Sequence, residues 1–210
     1  MGIILCSVKQ TLKPAVETVL QAHIFPDLLL GRKNFDLPHT KAVVYWMQQI
    51  LNNTQTVLDS QVLLTAAYAH DWGYIGLFDG VDSTDIAVIH QMKPLHMDRG
   101  SKKIKSLIVE HLSNFFTTQQ IQQVAHLVRV HDKIEELQTE EEICLMEADT
   151  LGMLDVSRVK PTFSKIDNDI FLSRELHGRR LPKFSHPFAL TIATELAEKR
   201  RLFYETPALI

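Results

Sequence analysis

Residues 62–73 read Val62-Leu63-Leu64-Thr65-Ala66-Ala67-Tyr68-Ala69-His70-Asp71-Trp72-Gly73. Val62 to Ala69 form an apolar helix that ends in an adjacent His and Asp and runs into Gly73-Tyr74. An imidazole and a carboxylate at one helix end can turn toward the same cation. Taken alone, the pair reads first as a His favoured by the helix dipole and an Asp that opens a turn.

The periodicity on either side is helical. A first helix is expected at 9–22. His39, Val43, Trp46 and Ile50 lie at i, i+4, i+7 and i+11, one face of a second. Residues 83–91 suggest a short helix capped by Asp82 or Ser83 and stopped before Pro94. A long helix is expected at 98–115, with Ile104, Leu107, Ile108, His111 and Phe115 on one face, and another at 118–132. The run from Thr139 to Leu154 opens with three glutamates, which suit a helix N-terminus. Helices near 162–176 and 187–203 complete the chain. No strand alternation is convincing, so an all-α domain is expected, with residues 157–210 as a helical extension packed on it.

Composition agrees. The 210 residues are 45% hydrophobic and 22% charged, ordinary for a globular protein, and 8 Gly and 8 Pro argue against collagen-like or many-turned β architecture. The net charge of −3 gives no basic field directed at nucleic acid or membrane. No apolar run is long enough for a membrane-spanning helix. The start, MGIILCSVK, lacks the regions of a signal peptide, and Cys6 stands where myristoylation requires Ser or Thr. Cys6 and Cys144 cannot build a disulfide framework, so a cytoplasmic location is expected. The excess is in histidine, with 10 residues.

Their placement carries the functional reading. His39 continues an apolar stripe and, once buried, needs partners for both ring nitrogens. Asp149, in Glu147-Ala148-Asp149-Thr150, is a costly carboxylate inside an apolar helix unless it is paired or metal-bound. His131 closes the face Ile121, Val124, Val128, whereas His126 shares the polar side with Gln122 and Arg129. His96, in Leu95-His96-Met97-Asp98-Arg99-Gly100, is expected just before the long helix, with Lys103 beside its apolar stripe. Inward His and Asp from several helices suit a divalent transition metal. The basic run His177-Gly178-Arg179-Arg180 with Lys183 reads chiefly as a solvated loop, and a reach to a phosphate is its other reading. His186 reads as a helix-start residue, and His23, His90 and His111 receive no role.

The ordered set His39, His70-Asp71, Asp149 on an all-α chain resembles the HD-domain superfamily of metal-dependent phosphohydrolases, over roughly residues 35–156. The resemblance implies an HD-type helical bundle in residues 1–156 with a C-terminal helical extension. It also implies a ligand set of His39, His70, Asp71 and Asp149 for one cation. His96 and His131, with Asp71 bridging, would hold a second. One or two divalent ions are implied, with Fe, Mn, Zn, Co, Ni and Mg not distinguished. The implied activity is hydrolysis of a phosphate ester of a small molecule, a nucleotide or a related monoester or diester, by metal-activated water. Asp71 would orient the nucleophile, Lys103 would contact phosphate with Arg99 behind it, and Trp72 would pack. Some family nucleotidases carry Glu, and some phosphodiesterases Lys, three positions after the doublet Asp. Tyr74 stands there in this chain, so neither substrate class carries over. Gly73-Tyr74 is also not the signature of the cyclic dinucleotide phosphodiesterase branch. The same ligands occur in a di-iron oxygenase branch, and a non-catalytic metal-binding regulatory module is the remaining alternative.

Overall fold

A computed structural model describes residues 11–32 and 34–205, so Cys6 and the opening of the expected first helix lie outside the described residues. Among the described residues eight α-helices follow one another: α1 Pro14–Leu29, α2 Asp36–Asn53, α3 Ser60–Ala69, α4 Ile86–His111, α5 Thr118–Val130, α6 Glu140–Leu154, α7 Lys165–Ile170 and α8 Pro187–Glu205. No strand occurs among the described residues. The fold is all-α.

The helix starts follow local chemistry. Thr117 and Gln120 cap α5 reciprocally, and Thr139 and Glu142 do the same for α6, so each pair satisfies two orphan backbone donors. Asp59 and Asp85 accept from the first turns of α3 and α4. The side chains of α3 from Val62 to Ala69 are all buried, which places the opening stretch at the centre of the bundle. Around it α2 packs on α6, and α4 packs on α5. Bare contacts allow close approach. A side-chain carbon on Gly152 would meet Val43 Cγ2 at 2.7 Å.

Two expected helices prove to be one. The segments 83–91 and 98–115 belong to the single 26-residue α4, which runs through Pro94 and stops at His111. Proline removes one i→i−4 hydrogen bond. Pro94 sits on the exposed face, where the freed His90 carbonyl can turn to water. His96 therefore lies within a helix rather than ahead of one. The segment after α7 differs too. It continues without a break as a π-helix, Phe171–Arg180, and then one 3₁₀ turn, Leu181–Lys183.

Helix α8 packs on α6, with Ala189, Ala193, Leu196 and Ala197 in the main core. Two polar anchors hold it. Buried Arg200 donates to Asn168 Oδ1 at 2.7 Å and to the Met153 carbonyl, and lies over Phe163 and Phe171. Glu147, fully buried, accepts from the backbone N–H groups of Ser185 and His186 at 2.6 and 3.0 Å and lies 2.7 Å from His186 Nδ1.

The hydrogen bond with Glu147 raises the His186 pKa above its ordinary 6.5. Stability from the protonated pair is fully present below about pH 6.5 and is lost as pH rises through the raised value. The melting-temperature advantage of wild type over His186→Gln is expected to shrink from pH 6 to pH 9; a constant difference contradicts the pairing. At Gly73 a side-chain carbon would overlap the His96 carbonyl oxygen and meet the Gly100 nitrogen at 2.7 Å. Gly73→Ala should therefore destabilise by roughly 1–3 kcal/mol or more, read as a lower denaturation midpoint.

Candidate metal centre

Six side chains from five helices or helix ends meet in the interior. His39 comes from α2, and His70 and Asp71 follow the last residue of α3. His96 comes from α4, His131 caps the end of α5, and Asp149 comes from α6. All are at most 5% exposed. They form two triads, His39-His70-Asp149 and Asp71-His96-His131, each with donor atoms within 4.8 Å of one another.

Asp71 links the triads. Its Oδ2 lies 3.6 and 3.5 Å from Nε2 of His39 and His70, and its Oδ1 lies 3.5 and 3.8 Å from Nε2 of His96 and His131. The docking that permits this is the Gly73 contact: the 3₁₀ turn Trp72–Tyr74 lies flat on α4 between His96 and Gly100.

Backbone geometry decides which ring nitrogens are free. His70 Nδ1 is 2.9 Å from the Ala67 carbonyl, and His131 Nδ1 is 2.9 Å from the Val128 carbonyl. A carbonyl only accepts, so Nδ1–H donates in both rings and each neutral ring presents the Nε2 lone pair inward. His70 Nε2 faces His39 Nε2 at 3.2 Å, and His96 Nε2 faces His131 Nε2 at 3.4 Å. His70 and His131 can accept there from the His39 and His96 rings, and His39 Nε2 also lies 3.0 Å from Asp149 Oδ1; with Nδ1–H in every ring the same four nitrogens become donors to a cation. His39 Nδ1 and His96 Nδ1 are buried without a hydrogen-bond partner. The donor set, four imidazoles and two carboxylates, fits one or two divalent transition metals.

Burial and charge shape the titration. Burial pushes His70 down and His96 down to about 3. Burial acts on His131 in the same sense, but the nearby Asp71 carboxylate and the Asp132 charge outweigh it and raise the group. Burial alone would raise Asp71 and Asp149. His70, His131 and Arg32 hold Asp71 well below the carboxylate range, and Arg180 with His39 does so for Asp149.

The arginines were harder to foresee. Arg32 Nη2 donates to Asp71 Oδ2 at 2.9 Å while its Nε donates to Asp36. Its guanidinium also lies 4.3 Å over the Tyr74 ring, and Tyr74 stacks on His96 at 3.9 Å. Tyr74 thus joins the site as a packing surface between an arginine and a histidine. Arg180 Nη1 donates to Asp149 Oδ2 at 2.9 Å, and its Nη2 donates to Asp132 Oδ1 at 2.7 Å. Lys93 Nζ is 3.0 Å from Asp132 Oδ2. The cavity at the site, about 40 Å³, is lined by these charges and by Ile86, Ile89, Met153, Phe163 and Phe171. His90 and Glu175 line it as well.

Lys103 and Arg99 are not brought to this cavity. Lys103 Nζ is 2.5 Å from Asp27 Oδ2 and 4.3 Å from the Trp72 ring centroid. Lys103 follows His96 by seven residues in one continuous helix, two turns or about 10 Å along the axis. Arg99 is exposed. Trp72 packs, donating its indole N–H to Asp27. His126 is 55% exposed at the side chain and bonds Glu142, on the outer face of α5 from His131. The His23 and His111 rings lie tilted against each other, 4.7 Å apart, and belong to neither triad nor to the cavity lining.

The sequence matches the HD domain family over residues 37–154. No curated protein and no solved structure matches it.

A cation that binds only the folded state raises stability by mass action. Added Mn²⁺ or Zn²⁺ is expected to raise the melting temperature of wild type and of His126→Ala alike, and to raise that of His131→Ala distinctly less. Equal shifts in all three contradict the donor assignment.

Proposed function

The chain belongs to the HD domain family, and from that premise we propose that it is a metal-dependent phosphohydrolase acting on a phosphate ester of a small molecule. The observation that carries the reading is the convergence of inward imidazole nitrogens around a carboxylate, Asp71, whose two oxygens divide between two triads. His39, His70 and Asp149 would hold one cation. His96 and His131 would hold a second, with Asp71 shared. Bound metal supplies a water of lowered pKa and neutralises charge on phosphoryl oxygens.

The rest of the mechanism lies in the chain's own residues. The Ala67 and Val128 carbonyls fix the tautomers of His70 and His131, so these rings enter the reaction already oriented. Arg32 fixes the Asp71 carboxylate through one oxygen, and Arg180 fixes Asp149 in the same way. Ile86, Ile89, Met153, Phe163 and Phe171 give the cavity an apolar wall, beside which charge interactions are stronger than in bulk water. A cavity of about 40 Å³ suits ions and waters, so the body of the ester has to lie outside it. Arg99 and Lys103 do not line this cavity.

Purified protein should carry divalent metal by elemental analysis and release phosphate from at least one member of a panel of nucleotides, sugar phosphates and simple monoesters. Asp71→Ala should lose both metal and activity, with kcat down by about a thousandfold or more, in keeping with the removal of a ligand shared by two triads. Wild-type protein that releases no phosphate with Mn, Co, Ni, Mg, Zn or Fe contradicts the reading.

A further inference from the structure

We propose that Arg180 and Lys93, held side by side on Asp132, form a phosphate-binding subsite in the cavity wall. The inference rests on the phosphoester reading above and specifies which residues receive the ester's phosphate group.

Arg180 lies beyond residues 37–154, the segment shared with the family. It enters the cavity because of the π-helix Phe171–Arg180. Hydrogen bonds from i to i+5 widen each turn to more than four residues. Phe171, Glu175 and Arg180, spaced by four and five, therefore fall on one face, and all three line the cavity. In an α-helix, at roughly 100° per residue, the nine residues from Phe171 would turn Arg180 to the opposite side. The uncommon helix is thus what delivers this guanidinium, and π-helical turns, rare in general, are frequent at functional sites.

Two further observations point to a ligand. Arg180 is 2% exposed, yet its Nε has no hydrogen-bond partner, a costly state for a charged group unless something completes it. Asp132 also serves two cations, accepting a hydrogen bond from Arg180 at 2.7 Å and forming an ion pair with Lys93 at 3.0 Å. The other carboxylate partner of Arg180 is Asp149, a member of the donor set. Once Asp149 serves a cation, Arg180 and Lys93 share the single charge of Asp132, while Glu175, the other carboxylate of that wall, is paired with Arg179 at 2.6 Å. A planar guanidinium beside an ammonium suits the oxygens of a phosphate group. Arg32 is differently placed, committed to Asp36 and Asp71.

The test uses metal-loaded full-length protein, with inorganic phosphate as the probe by calorimetry and as product inhibitor, and with metal content measured in every variant. Arg180→Gln and Lys93→Gln should each weaken phosphate binding about tenfold or more, with a matching rise in KM. Arg180→Lys should fall between wild type and Arg180→Gln. Metal content should stay at the wild-type level in Lys93→Gln and Arg180→Lys. Phosphate affinity within twofold of wild type in both of these variants overturns the proposal. So does a loss of metal from Arg180→Gln with normal phosphate binding in the other two, since Arg180 would then only support Asp149. Phosphate binding that depends on Arg180 in a protein that hydrolyses no ester supports the subsite and removes the hydrolase reading. Hydrolysis without that dependence does the reverse.

Discussion

Two carboxylates in the middle of a helical bundle set the terms for the rest of this structure. Asp71 and Asp149 are 5% and 4% exposed, and a buried carboxylate is tolerated only where charge and hydrogen bonds replace its lost water. The chain meets that demand from both flanks. Arg32 arrives from just before α2 and Arg180 from the far end of the π-helix, and each gives one donor to one of the acids. The four histidines fill the space between. Two of them are tied to carbonyls three residues back, so their inner nitrogens cannot serve the backbone.

Position at helix ends matters as much as charge. His70 and His131 sit one residue past α3 and α5, where a ring can bond a carbonyl of the last turn and still face the core. Asp71 is then free to leave the helical path and stand between the triads. The tight docking of Gly73 on α4 holds that turn against His96. Small residues thus set the distance between helices, and the distance sets how the donors meet.

Much of this was legible in the sequence. The apolar run before His70-Asp71 and the stripe through His39 located α2 and α3. The contrast between His131 and His126 on α5 followed from helical phase alone. What was not legible had physical reasons. Pro94 reads as a stop, yet it lies on an exposed face where its lost hydrogen bond costs little, so α4 continues and Lys103 ends two turns from His96. Tyr74 registered only as a departure from family pattern, because its role is stacking. The run around Gly178 reads as a loop, since neither the 3.6-residue nor the two-residue period describes a π-helix. Arg180 was hidden by that mismatch. Arg32 and Lys93 were hidden because ion pairs across a bundle leave no local spacing to detect.

The capping boxes at Thr117 and Thr139 have a consequence for how such a protein can change over time. Each box pins the first turn of a helix that ends in, or carries, a donor: His131 after α5 and Asp149 within α6. From cap to donor the helix acts as a ruler counted in residues. One inserted or deleted residue would swing the donor by roughly 100° and slide it 1.5 Å along the axis, out of reach of its triad. Loops between helices can lengthen at small entropic cost. Length variation in this chain's descendants should therefore collect in the connections, such as 75–85, and be purged from the thirteen residues of α5.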